Sequence, residues 1–288
     1  MQISVGDIGL WFDVDGAKLV AENGKLAERN TVIVLHGGPG FDHGYLKPEM
    51  QRLAENAQVI FIDQRGQGRS DTGDQADWCL DQWADDVAAF CEVLNIQKPI
   101  LLGTSFGGFV ALATAVRHPE LASGLIIVSS AAHIERDAVI NRFGELGGEA
   151  AANAANALFS SMNETSIAQF TQHCIPLYSR KDAVGMMTKL GQSIMRLELQ
   201  AHFFSPDGEM GRFDYRAGLR SCRVPTLMLH GELDPIIPTR FAKETALCFP
   251  KGVAQLITYP GCAHDLVSDC WGDIHAEMTR FITDLNAW

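Results

Sequence analysis

The sequence predicts an α/β fold in which a mostly parallel central sheet is flanked by helices. Three apolar runs rich in β-branched residues lie at 31–35, 58–62 and 125–129, and such runs are typical of strands buried on both faces of a sheet. Helical patterns alternate with these runs, which favours parallel strands covered by helices on both sides. The 288 residues suit one large domain, or one domain with a sizeable insertion.

The remaining elements follow from the same periodicities. Residues 2–15 alternate between apolar and polar side chains and end in the turn signal Asp15-Gly16, which favours a hairpin at the sheet edge. A short apolar strand is predicted just before Gly103, and a helix over 109–117. Further strands are expected at 225–230 and 255–259, and further helices at 81–94, 240–249 and 274–285.

The alternation of strands and helices stops between residues 132 and 219. This stretch is rich in Ala, Asn, Met and Phe, has helical propensity, and contains no strong buried-strand run. It is therefore predicted to be an inserted, mainly helical cap. Residues 1–131 and 220–288 are predicted to form the core domain around it.

Composition and charge restrict the classes of function. A formal net charge of −12 argues against nucleic acids and anionic membranes as partners. No apolar run approaches the roughly 20 residues that a membrane span needs, and the first residues do not resemble a secretory signal. The seven cysteines lack metal-ligand spacing and suggest reduced thiols in a cytoplasmic protein. The histidine spacing supports no metal site, no motif cradles a phosphate, and no cofactor is expected.

The stretch Gly103-Thr104-Ser105-Phe106-Gly107 has the pattern expected of a catalytic nucleophile. It joins a predicted strand to a predicted helix, the context in which Gly-x-Ser-x-Gly forms a sharp turn that presents the serine hydroxyl. Glycine on either side avoids a clash where strand and helix approach closely. Ser105 is the predicted nucleophile.

A serine nucleophile needs a base, and the base needs a group that orients it. Two loops that follow the last two predicted strands supply both groups: Asp234 follows one strand and His264 follows the other. The carboxyl ends of parallel strands meet at one edge of a sheet, so these side chains are expected near Ser105. Glu232 is the competing carboxylate; Asp234 is preferred because it lies further into its loop.

Acyl transfer also requires donors for the developing oxyanion. The backbone N–H of Phe106, directly after the nucleophile, is the first predicted donor. The second is expected in the loop His36-Gly37-Gly38-Pro39-Gly40 after the first buried strand. Proline has no N–H, so Gly38 is the predicted donor. His36 is expected to brace this loop through hydrogen bonds.

A further motif, Asp63-Gln64-Arg65-Gly66-Gln67-Gly68-Arg69-Ser70, follows the second buried strand. Together with the residues above, it makes the sequence resemble the α/β-hydrolase superfamily and, more narrowly, the proline iminopeptidase family of serine peptidases. The resemblance rests on three motifs and on Asp234 and His264 in their expected places; it covers roughly residues 25–130 and 222–288. The motifs are His36-Gly37-Gly38-Pro39-Gly40, Asp63-Gln64-Arg65-Gly66-Gln67-Gly68-Arg69-Ser70 and Gly103-Thr104-Ser105-Phe106-Gly107-Gly108. It implies the α/β-hydrolase fold with an inserted cap.

The resemblance also implies how the substrate is held. Members of that family bind the free amine of a peptide through cap carboxylates, and Glu198 and Glu209 are the candidates here. Phe203 and Phe204 are expected to line the substrate cavity, with Met186-Met187. Such an apolar lining suits an acyl chain equally well.

The predicted function is a Ser-His-Asp hydrolase that works through an acyl-enzyme intermediate. The first hypothesis is an aminopeptidase of proline iminopeptidase type, acting on small peptides or amides. The alternative is a carboxylesterase or lactonase acting on short-acyl esters. A third hypothesis, from another class, is an α/β-hydrolase scaffold without catalytic activity that binds a ligand or partner.

Overall fold

The computed structural model describes residues 1–285; residues 286–288, which the sequence assigns to the predicted core domain, lie outside the described residues. The strands within this range are β1 Gln2–Val5, β2 Ile8–Asp15, β3 Leu19–Glu22, β4 Lys25–Glu28, β5 Thr31–Leu35, β6 Gln58–Asp63, β7 Ile100–Thr104, β8 Gly124–Val128, β9 Thr226–Gly231 and β10 Ala254–Tyr259.

Eight of these strands form one sheet, in the order β1-β2-β6-β5-β7-β8-β9-β10. The β1–β2 and β2–β6 pairs are antiparallel, and every other neighbouring pair is parallel. The predicted edge hairpin and the predicted mostly parallel sheet are therefore confirmed. The sequence patterns missed the separate hairpin β3–β4, whose short strands are largely exposed and carry no buried run.

The helices are α1 Lys47–Met50, α2 Leu80–Val93, α3 Phe106–Arg117, α4 Arg136–Ser160, α5 Glu164–His173, α6 Ala183–Gly191, α7 Leu197–Phe204, α8 Arg216–Leu219, α9 Thr239–Cys248 and α10 Leu266–Thr283. Helix α4 is interrupted at Gly148, and α10 at Cys270. Helix α10 begins eight residues before the predicted start at 274. The Asp265 side chain caps it by accepting the N–H of Ser268.

The central strands β5, β7 and β8 are buried on both faces of the sheet. Successive side chains of a strand point to opposite sides, so each strand contributes to the apolar cluster on either face. In β5, Ile33 and Leu35 belong to one apolar cluster, which also contains side chains of α2, α3 and α9. Val32 and Val34 belong to the cluster on the other face, which contains side chains of α10. This arrangement explains why the strands appear in the sequence as continuous apolar runs.

Helices α4 to α8 all lie within residues 132–219, referred to below as the cap segment. No named strand falls in this part of the described chain, and its one isolated bridge joins His133 to Asp214. The helical content agrees with the expectation for this stretch, and its independence as a domain remains a prediction. Within residues 1–285, no helix is both long and apolar enough to cross a membrane.

Candidate active site

Ser105 occupies a sharp turn between β7 and α3. Its φ of 52° and ψ of −118° place a non-glycine residue in a conformation that L-amino acids rarely adopt. The turn leaves no room beside it: a Cβ at Gly103 would lie 2.3 Å from the Gly107 carbonyl oxygen, and one at Gly107 would lie 2.0 Å from the Leu35 carbonyl oxygen. The glycines therefore permit the backbones of β7, α3 and the end of β5 to pack closely around the turn at Ser105.

The structure brings Ser105, His264 and Asp234 together from three different loops. The Nε2 atom of His264 lies 3.0 Å from Ser105 Oγ, and its Nδ1 atom lies 2.7 Å from Asp234 Oδ2. A carboxylate only accepts hydrogen bonds, so Nδ1 carries the hydrogen. Nε2 is then the acceptor for the serine proton, as a general base requires.

Asp234 is fully buried, and its second oxygen is held by the backbone. Oδ1 accepts the N–H groups of Ile236 and Ile237, at 2.9 and 2.8 Å. Glu232 is exposed and accepts the Thr258 hydroxyl instead. Of the two carboxylates that the sequence left in competition, Asp234 is therefore the one that contacts the imidazole.

His264 is held through both its backbone and its imidazole ring. Ser129 Oγ donates a hydrogen bond of 2.7 Å to the His264 carbonyl oxygen. The ring of Tyr178, in the cap segment, packs edge-on against the imidazole at a centroid distance of 5.2 Å. These contacts hold the loop that carries His264, and the sequence patterns singled out neither Ser129 nor Tyr178.

The two backbone N–H groups that the sequence predicts as oxyanion donors belong to Phe106 and Gly38. Phe106 begins α3, so its N–H has no acceptor within the helix. Gly38 lines the cavity at Ser105, and its φ of +133° is a conformation that favours glycine. Within residues 1–285, no hydrogen bond joins the Gly38 N–H to an acceptor.

The loop that carries Gly38 is braced from below and from the cap segment. Nδ1 of the buried His36 lies 2.8 Å from the Gly37 carbonyl oxygen, and its Nε2 accepts the Gln64 N–H at 3.4 Å. On the other side, Arg196 N–H donates to the Gly40 carbonyl oxygen at 2.8 Å. The site and the cap segment are thus directly hydrogen-bonded.

A cavity of about 370 Å³ opens above Ser105, between the sheet edge and the cap segment. Its volume lies near the lower end of the range for ligand pockets. Most of the lining is aliphatic, aromatic or methionine side chain, from the core and from the cap segment. The members from the cap segment include Leu158, Phe159, Met162, Ile167, Phe170, Ile175, Met186, Met187 and Phe204.

Three predicted substrate-binding residues are not at the cavity, and these predictions are corrected. Glu198 is exposed on α7, because the buried face of that helix carries Leu199 and Phe203. Glu209 instead accepts the Leu80 N–H at 2.7 Å, and burial raises the pKa of its carboxyl above the usual value. Phe203 packs into the core against Phe106, at a centroid distance of 5.3 Å. The fourth predicted residue, Phe204, does line the cavity.

Ionisable groups are scarce in the cavity wall. Asp265 is the one carboxylate among the described lining residues; it bonds to both the N–H and the hydroxyl of Ser268. Burial raises the pKa of the Asp265 carboxyl. Lys189 also lines the cavity and is paired with Glu49. No group of three or more His, Cys, Asp or Glu side chains within residues 1–285 could hold a metal ion.

Comparisons with known proteins give a consistent family. The profile of the alpha/beta hydrolase fold family matches residues 30–269. Over 234 residues, the chain is 26% identical to a proline iminopeptidase of Lactobacillus crispatus, covering 75% of this chain and 78% of that protein. It is 25% identical over 263 residues to a putative carbamate hydrolase of Caulobacter sp., and this match covers 86% of this chain and 89% of that protein.

A solved proline iminopeptidase from Mycobacterium smegmatis has a similar fold. The TM-score is 0.78 at 22% identity, and the match covers 100% of this chain and 98% of that one. At this identity the likeness describes the fold alone. The family profile covers most of the chain, and the chain therefore belongs to the α/β-hydrolase fold family of hydrolytic enzymes.

Proposed function

We propose that this protein is a serine hydrolase with Ser105 as nucleophile, His264 as general base and then acid, and Asp234 as the group that orients His264. The observation that carries the proposal is the hydrogen-bonded chain from Asp234 through His264 to Ser105 at the mouth of an apolar cavity. Gly38 and Phe106 donate their N–H groups to the oxyanion.

The proposed reaction has two halves. His264 Nε2 takes the Ser105 proton while Oγ bonds to the substrate carbonyl carbon, and the carbonyl oxygen becomes the oxyanion. Collapse breaks the bond to the leaving group, which receives the proton from His264, and an acyl-enzyme remains. Water then attacks this ester with its proton passing to His264; the acid is released, and Ser105 recovers its proton.

The preferred substrates are carboxylic esters with an apolar acyl group. Burial of an aliphatic chain against Leu158, Ile167 and Phe204 removes apolar surface from water, which stabilises the complex by about 25 cal/mol per Å². The cavity volume corresponds to roughly a dozen water-sized groups, so short and medium chains fit best.

Aminopeptidase activity is the second candidate, and it is supported by the similarity to proline iminopeptidases. A buried substrate ammonium needs a carboxylate partner. Glu198 and Glu209 lie elsewhere, and Asp265 already accepts two hydrogen bonds from Ser268. This distribution of carboxylates makes the ester hydrolase the first candidate and reverses the order expected from the sequence.

The test compares 4-nitrophenyl butyrate and octanoate with prolyl- and other aminoacyl-4-nitroanilides. We expect ester turnover and no amide cleavage. Cleavage of the anilides that is lost when their amine is acetylated would instead establish the aminopeptidase. Labelling by a fluorophosphonate is expected in the wild type and not in Ser105→Ala. A folded wild-type protein that neither labels nor turns over any substrate would favour the non-catalytic scaffold.

A further inference from the structure

Tyr45 lies beside the nucleophile, although nothing in the proposed reaction yet uses it. It ends the short 3-10 helix His43–Tyr45 that follows the Gly38 loop, and it lines the cavity. Its hydroxyl accepts the Gly37 N–H at 2.9 Å. A Cβ placed on Gly37 would lie 2.7 Å from that hydroxyl and 3.2 Å from the Cβ of Ser105. The phenol oxygen and the nucleophile therefore flank the same point of the oxyanion loop.

The hydroxyl hydrogen of Tyr45 is unused. A tyrosine hydroxyl accepts hydrogen bonds and also donates one. The Gly37 N–H occupies the acceptor side, and within residues 1–285 no protein atom accepts the Tyr45 hydrogen. Burial raises the pKa of the Tyr45 phenol above its usual value, so the group stays protonated and able to donate.

We propose that the Tyr45 hydroxyl is a third donor to the oxyanion of the tetrahedral intermediate, beside the N–H groups of Gly38 and Phe106. This inference rests on the proposed function and adds a catalytic residue to it. The Gly37 N–H fixes the phenol oxygen, and a hydroxyl that accepts a hydrogen bond donates a stronger one. The donor therefore needs no reorganisation when charge develops on the substrate oxygen.

A purely structural role predicts different behaviour. If Tyr45 only anchors Gly37, its loss would leave one N–H without an acceptor. The loop would loosen, so that the melting temperature would fall and KM would rise. A donor to the oxyanion affects the transition state instead, so that its loss lowers kcat and leaves KM nearly unchanged.

The decisive variant is Tyr45→Phe, assayed with 4-nitrophenyl butyrate. Removal of one oxyanion donor reduces kcat by about 10²–10³, and we expect a loss of that order with KM changed less than threefold. The matched control is Tyr215→Phe, which removes a hydroxyl that bonds to Asp81 outside the cavity. This control should keep wild-type kcat.

A trifluoromethyl ketone with a hexyl chain provides a second measurement, the pKa of the hemiketal that it forms with Ser105. A purely structural role of Tyr45 would leave this pKa unchanged. Attack by Ser105 transfers its proton to His264 and leaves a negative oxygen on the ketone carbon, as in the proposed intermediate. We expect Tyr45→Phe to raise the pKa of this hemiketal, followed by 19F NMR, and to weaken ketone binding by the same factor as kcat. Placing 3-fluorotyrosine at position 45, a more acidic phenol, should lower that pKa and covers the case in which Tyr45→Phe does not fold.

The outcomes separate the two proposals. A wild-type protein that resists the fluorophosphonate and cleaves no ester contradicts the proposed function, whatever Tyr45 does. A wild type that labels and turns over, with a folded Tyr45→Phe variant that keeps kcat within threefold and an unchanged hemiketal pKa, overturns the role of Tyr45 alone. An unchanged hemiketal pKa in the 3-fluorotyrosine protein has the same meaning.

Discussion

Arg142 of helix α4 donates from Nε to the backbone carbonyl oxygen of Asp234, at 3.3 Å. Its Nη2 also donates to the Glu232 carbonyl oxygen at 2.8 Å, and its Nη1 pairs with Glu145. One guanidinium from the cap segment therefore holds the loop that carries the buried carboxylate. Its planar fork suits two carbonyl groups in a way that a lysine ammonium does not.

Arg142→Ala is expected to lower kcat about tenfold, because hydrogen bonds to a charged group contribute about 1.5–3 kcal/mol and part of that here keeps Asp234 aligned. The assay is ester hydrolysis at saturating substrate. Arg240→Ala is the matched control: Arg240 pairs with Glu135, and both side chains are exposed. Equal activity of the two variants would show that the cap segment does not position the loop that carries Asp234.

Substitution of Asp234 and of Glu232, the two carboxylates of the same loop, should affect kcat very differently. Asp234→Asn is expected to lower kcat by about 10⁴, because an amide facing Nδ1 favours the tautomer that cannot accept the serine proton. Glu232→Gln should change kcat less than twofold, because its side chain contacts Thr258 and not His264. Steady-state kinetics on both purified variants provides the measurement, and a large loss in Glu232→Gln would reverse the assignment.

Adjacent phenylalanines offer a test of the cavity. Phe204→Ala enlarges the space above Ser105 and is expected to shift the preferred acyl chain towards longer esters. Phe203→Ala should leave the chain-length profile unchanged but destabilise the fold by about 3–5 kcal/mol, because that ring is buried against Phe106 and Phe109. Kinetics over butyrate to decanoate esters, with urea unfolding of both variants, separates the effects.

The turn at the nucleophile predicts a stability difference between two glycines. Gly103→Ala places a methyl group 2.3 Å from the Gly107 carbonyl oxygen and is expected to destabilise the protein by about 1–3 kcal/mol. Gly272→Ala, in helix α10, meets no atom within 4 Å. It should stabilise by about 0.5–1 kcal/mol through helix propensity. Free energies from urea unfolding, at equal m-values, give the comparison.

The buried His36 predicts that the folded protein loses stability as the pH falls. Its Nδ1 hydrogen points to the Gly37 carbonyl oxygen and its Nε2 accepts a hydrogen bond, so the neutral ring fits. Burial lowers the pKa of His36 below its ordinary value of 6.5. As pH falls below about 6.5, the unfolded chain binds this proton first and the folded state loses stability, by up to about 1.4 kcal/mol per pH unit.

The corresponding measurement is the free energy of unfolding between pH 7.5 and 5. His36→Asn keeps an amide near the Nδ1 position but cannot titrate, so its stability should fall less steeply over that interval than the stability of the wild type. Parallel curves for the two proteins would exclude His36 as a source of the acid sensitivity. The other buried histidines with lowered pKa, His133 and His230, contribute equally to both curves.

The sequence was most informative wherever local geometry dictates residue type. Buried parallel strands require continuous apolar runs, so β5, β6 and β8 could be located to within one residue. The crowded turn at Ser105 accepts only glycine at two positions, which made the motif readable. Ser105, Asp234 and His264 each follow a strand of the parallel part of the sheet, β7, β9 and β10, so their meeting at one sheet edge could also be predicted.

Only the tertiary structure decided what surrounds these residues. The side of α7 that faces the cavity depends on how that helix packs, and this packing turned Glu198 outward and Phe203 into the core while leaving Phe204 at the cavity. Tyr45 reaches Gly37, and Arg142 reaches Asp234, across 8 and 92 residues of sequence. Such contacts depend on the path of the folded chain and leave no periodic pattern in the sequence. Local patterns therefore specify the sheet and its candidate nucleophile, whereas the folded chain specifies the walls of the cavity.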